Sequence, residues 1–283
     1  MADYHKAMEQ LQFERIKETA HNVRLQILKS AYVAGKNGAH LGGGLSLVEI
    51  LSVLYSGILK YDICNPTNKY RDRLILSKGH GAIALFAILK ETGFISAEEL
   101  NEFEQNGSHY YAHASRNIEK GIEFSGGSLS LGLSFAVGVA LSNKKEKTNN
   151  RIYVIVGDGE CDEGLVWEAL MSAANFNLTN LMVIVDCNGL QSDDFTTNVM
   201  NKSSLLEKFT SFGFYTRETD GHDIEQLYKA FTNCDSTKPN AIIANTVKGK
   251  GVSFIENNRD WHHGVLSQNH YEMALKELEE KWK

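Results

Sequence analysis

The stretch Ile152-Tyr153-Val154-Ile155-Val156-Gly157-Asp158-Gly159-Glu160, answered further on by Leu181-Met182-Val183-Ile184-Val185-Asp186-Cys187-Asn188-Gly189-Leu190, decides the fold. Two unbroken Val/Ile-rich runs are what strands buried on both faces of a parallel sheet require. Each run ends in polar residues, Gly-Asp-Gly after the first and Asp-Cys-Asn-Gly after the second. Residues 165–176 between them have the length and apolar content of a crossover helix, so the unit reads strand, glycine turn, helix, strand. Open parallel sheets hold ligands beyond the carboxyl ends of their strands, and both polar turns fall there. The pattern predicts an α/β fold, a mainly parallel sheet with helices on both faces, with residues 1–283 forming a single domain.

Asp158 and Asn188 close neighbouring strands in this reading, so their side-chain oxygens converge. One carboxylate and one amide oxygen make a partial shell for a hard cation, Mg²⁺ or Ca²⁺, when a ligand's phosphates complete it. Gly157 and Gly159 leave backbone N–H groups open to a phosphate. An acidic strand-to-helix turn with an unrelated asparagine in the next turn is the other reading of the same residues.

At 283 residues, 42% hydrophobic and 23% charged with net charge −6, the chain is ordinary for an enzyme and lacks the basic excess of a nucleic-acid binder. No apolar run approaches the roughly 20 residues of a membrane span, and the start Met1-Ala2-Asp3-Tyr4-His5-Lys6 lacks the basic-then-apolar order of a secretion signal. Cys64, Cys161, Cys187 and Cys234 are scattered, which suggests neither zinc nor disulfides. The expectation is a cytoplasmic enzyme with no nucleic-acid or membrane partner.

Taken in order, residues 5–35 predict a long amphipathic helix with Leu11, Ile16, Val23, Ile27 and Leu28 on its apolar stripe. A glycine loop follows, Gly35 to Gly44, with His40 inside it; it reads either as a flexible connection or as backbone held close to a ligand. Ser46 and Glu49 have the spacing of a capping box for a helix to about Leu59, and Ser96 and Glu99 repeat it. A short strand over residues 73–76 turns through Ser77-Lys78-Gly79-His80-Gly81 into a helix, where a histidine can meet a phosphate. Ser125-Gly126-Gly127-Ser128-Leu129 precedes an apolar helix over 131–141, and residues 143–150 read as a charged loop. Glu160, Asp162 and Glu163 suit the dipole of the crossover helix. A polar stretch to Lys202, helices over 203–212 and 224–231, strands over 214–216 and 241–247, and a last helix from Ser267 complete the chain. Asp220-Gly221-His222-Asp223 reads as a turn and a cap.

Gly157-Asp158-Gly159, a helix, then Asp186-Cys187-Asn188-Gly189-Leu190-Gln191 resembles the thiamine diphosphate motif in its transketolase form. The resemblance implies that Asp158, Asn188 and the carbonyl of Leu190 hold Mg²⁺ on the cofactor's diphosphate, beside Gly159. His40 sits in a stretch similar to the family's Gly-His-Pro-Gly-Gly, with Leu41 replacing proline, and would face the substrate's reacting carbons. His80, in the family's Ser-Lys-Gly-His turn, would lie between diphosphate and substrate. His113, where relatives carry Gly-His-Pro, would touch the donor sugar's first hydroxyl; His109 is taken as surface. The turn at Gly127 and Leu129 resembles the one whose main chain contacts the aminopyrimidine, and an ordinary glycine cap is its alternative. Glu163 stands where the family places a carboxylate linking paired active sites. Lys248 begins a Lys-Gly-x-Gly loop and would offset phosphate charge. Trp261-His262-His263-Gly264 doubles the family's single histidine: the tryptophan points to His262, the His-Gly pair to His263.

This resemblance runs from His40 to His262 and implies a ketol transferase that uses thiamine diphosphate and a divalent cation on sugar or sugar-phosphate substrates. Transketolases carry three domains, and this sequence matches the first. The glutamate that activates the cofactor lies in the family's middle domain, and no motif here replaces it. The chain therefore reads as the amino-terminal subunit of a split transketolase, working with a carboxy-terminal partner that carries the pyrimidine-binding domain in a two-plus-two heterotetramer. The rival readings are the diphosphate-binding subunit of a 2-oxo acid dehydrogenase or decarboxylase, and a non-catalytic homologue.

Overall fold

The computed structural model describes residues 2–282. Its centre is a five-stranded sheet of β1 (Arg73–Leu76), β2 (Ile152–Gly157), β3 (Leu181–Cys187), β4 (Tyr215–Asp220) and β5 (Asn240–Asn245). The strand order is β1-β2-β3-β5-β4, and every pairing is parallel. Ile152 pairs with Leu181 and Gly157 with Asp186, so β2 and β3 end at the same level. The two runs that decided the fold are therefore the adjacent central strands.

Because side chains alternate along a strand, each central strand feeds two cores. Tyr153, Ile155, Met182, Ile184 and Ile242 point to one face and pack beneath the helices α1 (Ala2–Ala34), α3 (Val48–Val53) and α4 (Ala82–Glu91). The short α2 (Leu41–Leu45) joins α1 to α3, and the one-turn α5 (Ala97–Leu100) follows α4. Val154, Val156, Val183, Val185 and Ile243 point the other way, against α6 (Leu131–Glu146) and α7 (Gly164–Asn175). The one-turn α8 (Thr196–Val199) precedes α9 (Leu205–Ser211), whose Phe209 joins this second core, while α10 (Ile224–Thr232) and α11 (Gln268–Trp282) return to the first. Each fully buried Val or Ile contributes about 1.5–3 kcal/mol, which is why the unbroken runs lie at the centre.

Several local expectations change. Leu11 is exposed, and the buried stripe of α1 is Phe13, Ile16, Ala20, Val23, Ile27 and Ala31, one helical face. The capping box at Ser46 does not form: Ser46 ends α2, its hydroxyl donates to Asp186, and Glu49 turns to Arg24 and His222. The box at Ser96 does form, with Glu99 N–H donating to the serine oxygen and Ser96 N–H to the Glu99 carboxylate. Helix α6 continues through the expected loop to Glu146, until Lys147 takes a left-handed conformation. Strand β4 runs to Asp220, four residues past its expected end, and the polar stretch after Gln191 contains α8. No helix among the described residues is long and apolar enough to cross a membrane.

Candidate functional site

Beyond the ends of β2 and β3 the backbone turns sharply, and the Asp158 carboxylate is held in the turn by N–H donors from Gly159 at 2.9 Å and Gly189 at 2.8 Å. Burial, and next the neighbouring Asp186 charge, push this carboxyl up to about 6. Asn188 donates its amide N–H to Asp186 at 3.3 Å, while its oxygen accepts from Leu190 N–H at 3.2 Å. That network sets the amide's orientation and keeps its oxygen on the Leu190 side. The Leu190 carbonyl accepts from the Lys248 ammonium at 3.0 Å.

Two further carboxylates lie on this side, Glu160 lining the cavity and Asp186 buried out of contact with it. Asp186 is fully buried and takes the Lys78 ammonium and the hydroxyls of Ser46 and Thr246. Burial alone would raise it, but Lys78 holds it below the usual carboxylate range. Glu160 is not the helix-dipole partner that its sequence position suggests. It is buried in the short turn Gly159–Asp162, and accepts from Gly157 N–H at 2.9 Å, Ser130 N–H at 2.7 Å and the Ser77 hydroxyl. Asp162, expected in the same role, pairs with Lys202 and accepts from the Gln191 amide.

The facing wall is imidazole. The His40 ring lies 5.9 Å from His80, 5.5 Å from His113, 5.4 Å from His262 and 4.6 Å from His263, centre to centre. His40 enters through the glycine loop, which needs its glycines: a Cβ on Gly43 would stand 2.9 Å from the His80 ring. Burial first, then the surrounding histidines and Lys248, hold His40 down to about 3. Burial and then Lys248 hold His262 to about 4, and burial with Lys78 lowers His80 well below the ordinary value. These three rings are neutral at physiological pH. Lys248 itself is brought down to about 8 by burial and by Lys78.

A cavity of about 250 Å³ separates wall from floor, lined by His40, His80, His113 and His262 on one side and Asp158, Gly159, Asn188 and Leu190 on the other, with Gly127 and Leu129 at its edge. His262 lines it, with Nδ1 3.0 Å from the Lys248 ammonium, whereas His263 is exposed and packs beside Gly38. Of the two neighbouring histidines, His262 is the one whose ring reaches the cavity. Glu163, expected beside the cofactor in a carboxylate network that links paired active sites, does not line the cavity: it caps α7 without a side-chain bond and is exposed to solvent. His109 is exposed, as read. Lys248 stands behind the wall, bonding the carbonyls of Leu190 and Gln191.

The residues fit a diphosphate with a cation. Carboxylate, amide and carbonyl oxygens are the donor types a hard cation takes, and all three leave adjacent strand ends. Gly159 is a cradle in which an added Cβ would meet Gln191 at 2.6 Å. His40 Nδ1 and Gln191 Oε1 are buried without a partner, so both have capacity for a ligand. Sequence reasoning does not find Lys78, Glu160, Asp186 and Gln191 as site residues. A signal for Asp186 exists, since a charge ending a buried strand needs a partner; Lys78 lies inside the strand-to-helix turn that carries His80.

Residues 17–281 match the family model described as "Transketolase, thiamine diphosphate binding domain". An apulose-4-phosphate transketolase subunit from Phocaeicola vulgatus is 36% identical over 273 residues, covering 96% of each chain. The 6-deoxy-6-sulfo-D-fructose transketolase subunit SqwG of a Clostridium species is 38% identical over 250 residues, covering 87% of this chain and 91% of its own. The solved transketolase of Leishmania mexicana superposes with a TM-score of 0.87 at 26% identity over 93% of this chain, which spans 41% of that longer protein.

Proposed function

The chain belongs to the transketolase family as its amino-terminal, thiamine diphosphate-binding subunit and so forms part of a transferase; from that premise we propose a two-subunit ketol transferase. In this reading residues 1–283 act as one diphosphate-binding domain in the cytoplasm. A carboxy-terminal partner carries the pyrimidine-binding domain in a two-plus-two heterotetramer. The family match sets aside the 2-oxo acid dehydrogenase alternative. The two split relatives are named for different sugars, so the shared chemistry is proposed here: a two-carbon ketol unit passes from a ketose donor to an aldose acceptor.

The observation that carries the proposal is the meeting, in one cavity, of a cation-type oxygen set with four histidines. Asp158, Asn188 and the Leu190 carbonyl would hold Mg²⁺ or Ca²⁺ on the cofactor diphosphate. Thiamine diphosphate, when bound, supplies the carbanion that accepts the ketol unit. His80 would hold phosphate oxygens, Lys248 would offset phosphate charge from behind the wall, and the main chain at Gly127 and Leu129 would edge the aminopyrimidine. His40, His113 and His262 would bind sugar hydroxyls and move protons at their ring nitrogens; neutral imidazole is the form able both to accept and to donate. The unpartnered His40 Nδ1 is the atom best placed for this. His263, outside the cavity, would support His40, and exposed Glu163 would meet the carboxylate network of a second chain.

Turnover of a ketose donor by the purified chain, alone and after adding the product of the neighbouring reading frame, tests the proposal. Activity is expected only in the mixture. Robust turnover by the chain alone would overturn the split-subunit reading.

A further inference from the structure

The turn Asp220–Asp223 does more than cap α10. We infer that His222 is a positioning residue for Lys248, and through it for the cation-side carbonyl of Leu190. The inference rests on the diphosphate-site reading above.

Val247 N–H donates to His222 Nε2 at 2.8 Å, and His222 Nδ1 lies 2.9 Å from a Glu49 carboxylate oxygen. A backbone N–H can only donate, so Nε2 must be the acceptor and Nδ1 must carry the ring proton toward Glu49. Glu49 is buried and also pairs with Arg24, which reaches back to the Lys250 carbonyl at 3.2 Å. The ring is thus oriented from behind by a buried carboxylate, as outer-shell carboxylates orient histidines elsewhere.

What it grips is the exit of β5, two steps from the site. Gly221 N–H bonds the Asn245 carbonyl at 2.7 Å, and a Cβ on Gly221 would stand 2.3 Å from Thr246 Cγ2. Thr246 is tied to the end of β3 through Cys187 and Asp186. Val247 then takes its acceptor from His222, and Gly249 N–H takes the Gly42 carbonyl at 2.9 Å. Lys248 lies between those two anchors, with its ammonium on the Leu190 and Gln191 carbonyls and on His262. Removing the grip at Val247 frees the backbone that aims this ammonium.

The test uses the chain in complex with its partner and reads thiamine diphosphate affinity by calorimetry in the presence of Mg²⁺, with the melting temperature of each cofactor-free complex alongside. His222→Asn keeps a donor near Glu49 but withdraws the acceptor from Val247. His222→Gln places an acceptor near Val247 but gives up the bond to Glu49. His222→Asn is expected to weaken affinity roughly 10–100-fold, the scale for losing an outer-shell partner. His222→Gln should recover most of it at a similar melting temperature. In a Lys248→Met background His222→Asn should add almost nothing, as residues acting through one another are not additive. Wild-type affinity in His222→Asn, equal losses in both variants, or an undiminished effect in Lys248→Met would each overturn the inference. A wild-type complex that fails to bind thiamine diphosphate would instead remove the underlying site reading, and this inference with it.

Discussion

On the strand side of the cavity, Asp158, Glu160 and Asp186 each accept two or more hydrogen bonds from protein groups. On the loop side, His40 keeps a buried nitrogen without a partner, and His262 shares its Nδ1 only with Lys248. The difference is one of purpose. The carboxylate side is finished before any ligand arrives, because an unpaired buried charge is far more costly than an unpaired neutral ring. The imidazole side can stay incomplete, since burial keeps His40, His80 and His262 neutral. In the proposed function, rigid charge suits the part that would hold a fixed diphosphate and cation, and open rings suit the part that would take successive sugars.

The sharpest way to break that contrast is Asp158→Ala, which should abolish Mg²⁺-dependent cofactor retention in the complex. The cofactor-free melting temperature should stay within a few degrees, because burial, and then the charge of Asp186, already oppose this carboxylate. Calorimetry showing unchanged affinity would remove Asp158 from the site. Next in size is Glu160→Ala, which strands three donors at Ser77, Ser130 and Gly157. A loss of roughly 3 kcal/mol is expected in denaturant unfolding; a loss below about 1 kcal/mol would mean this side is not pre-built.

On the histidine side, His262→Ala should reduce turnover about 100-fold, the lower scale for losing an acid–base group, with little change in stability. His263→Ala should cost only a few-fold. The reverse ranking in steady-state kinetics would hand the role to the exposed ring.

The smallest effect is a pH dependence of the cofactor-free chain. His40 has a folded pKa of about 3 against an ordinary 6.5. Between those values the unfolded chain binds more protons, so stability falls as pH drops from 6.5 toward 3. Asp158 runs oppositely, about 6 folded against 3.8, and adds stability as pH falls through that window. His40→Gln should therefore lose less melting temperature than wild type between pH 7 and pH 5. An equal loss in both would show that His40 is not held neutral by the fold.

Much of this was legible from residue order. The unbroken Val/Ile runs foretold the parallel core, since only a strand covered on both faces can be apolar at every position. Gly-Asp-Gly and Asp-Cys-Asn-Gly marked the strand-end side of the cavity because short-range geometry puts both at strand ends. Leu11 and the capping box at Ser46 misled for one reason: local spacing competes with tertiary partners, and the buried Asp186 claimed the Ser46 hydroxyl.

What only the tertiary structure decided is which distant groups meet. Glu160 reads as a dipole partner until the chain folds Ser77 and Ser130 onto it. His222 reads as part of a turn until Glu49, 173 positions away, sets its ring. His262 and His263 are equivalent neighbours in the chain, and they part only where the backbone turns one ring toward Lys248 and leaves the other in solvent. Element type follows from the local pattern of apolar residues. Partnership among buried polar groups follows from the need to satisfy each one in a dry interior, and that is settled only when the elements pack.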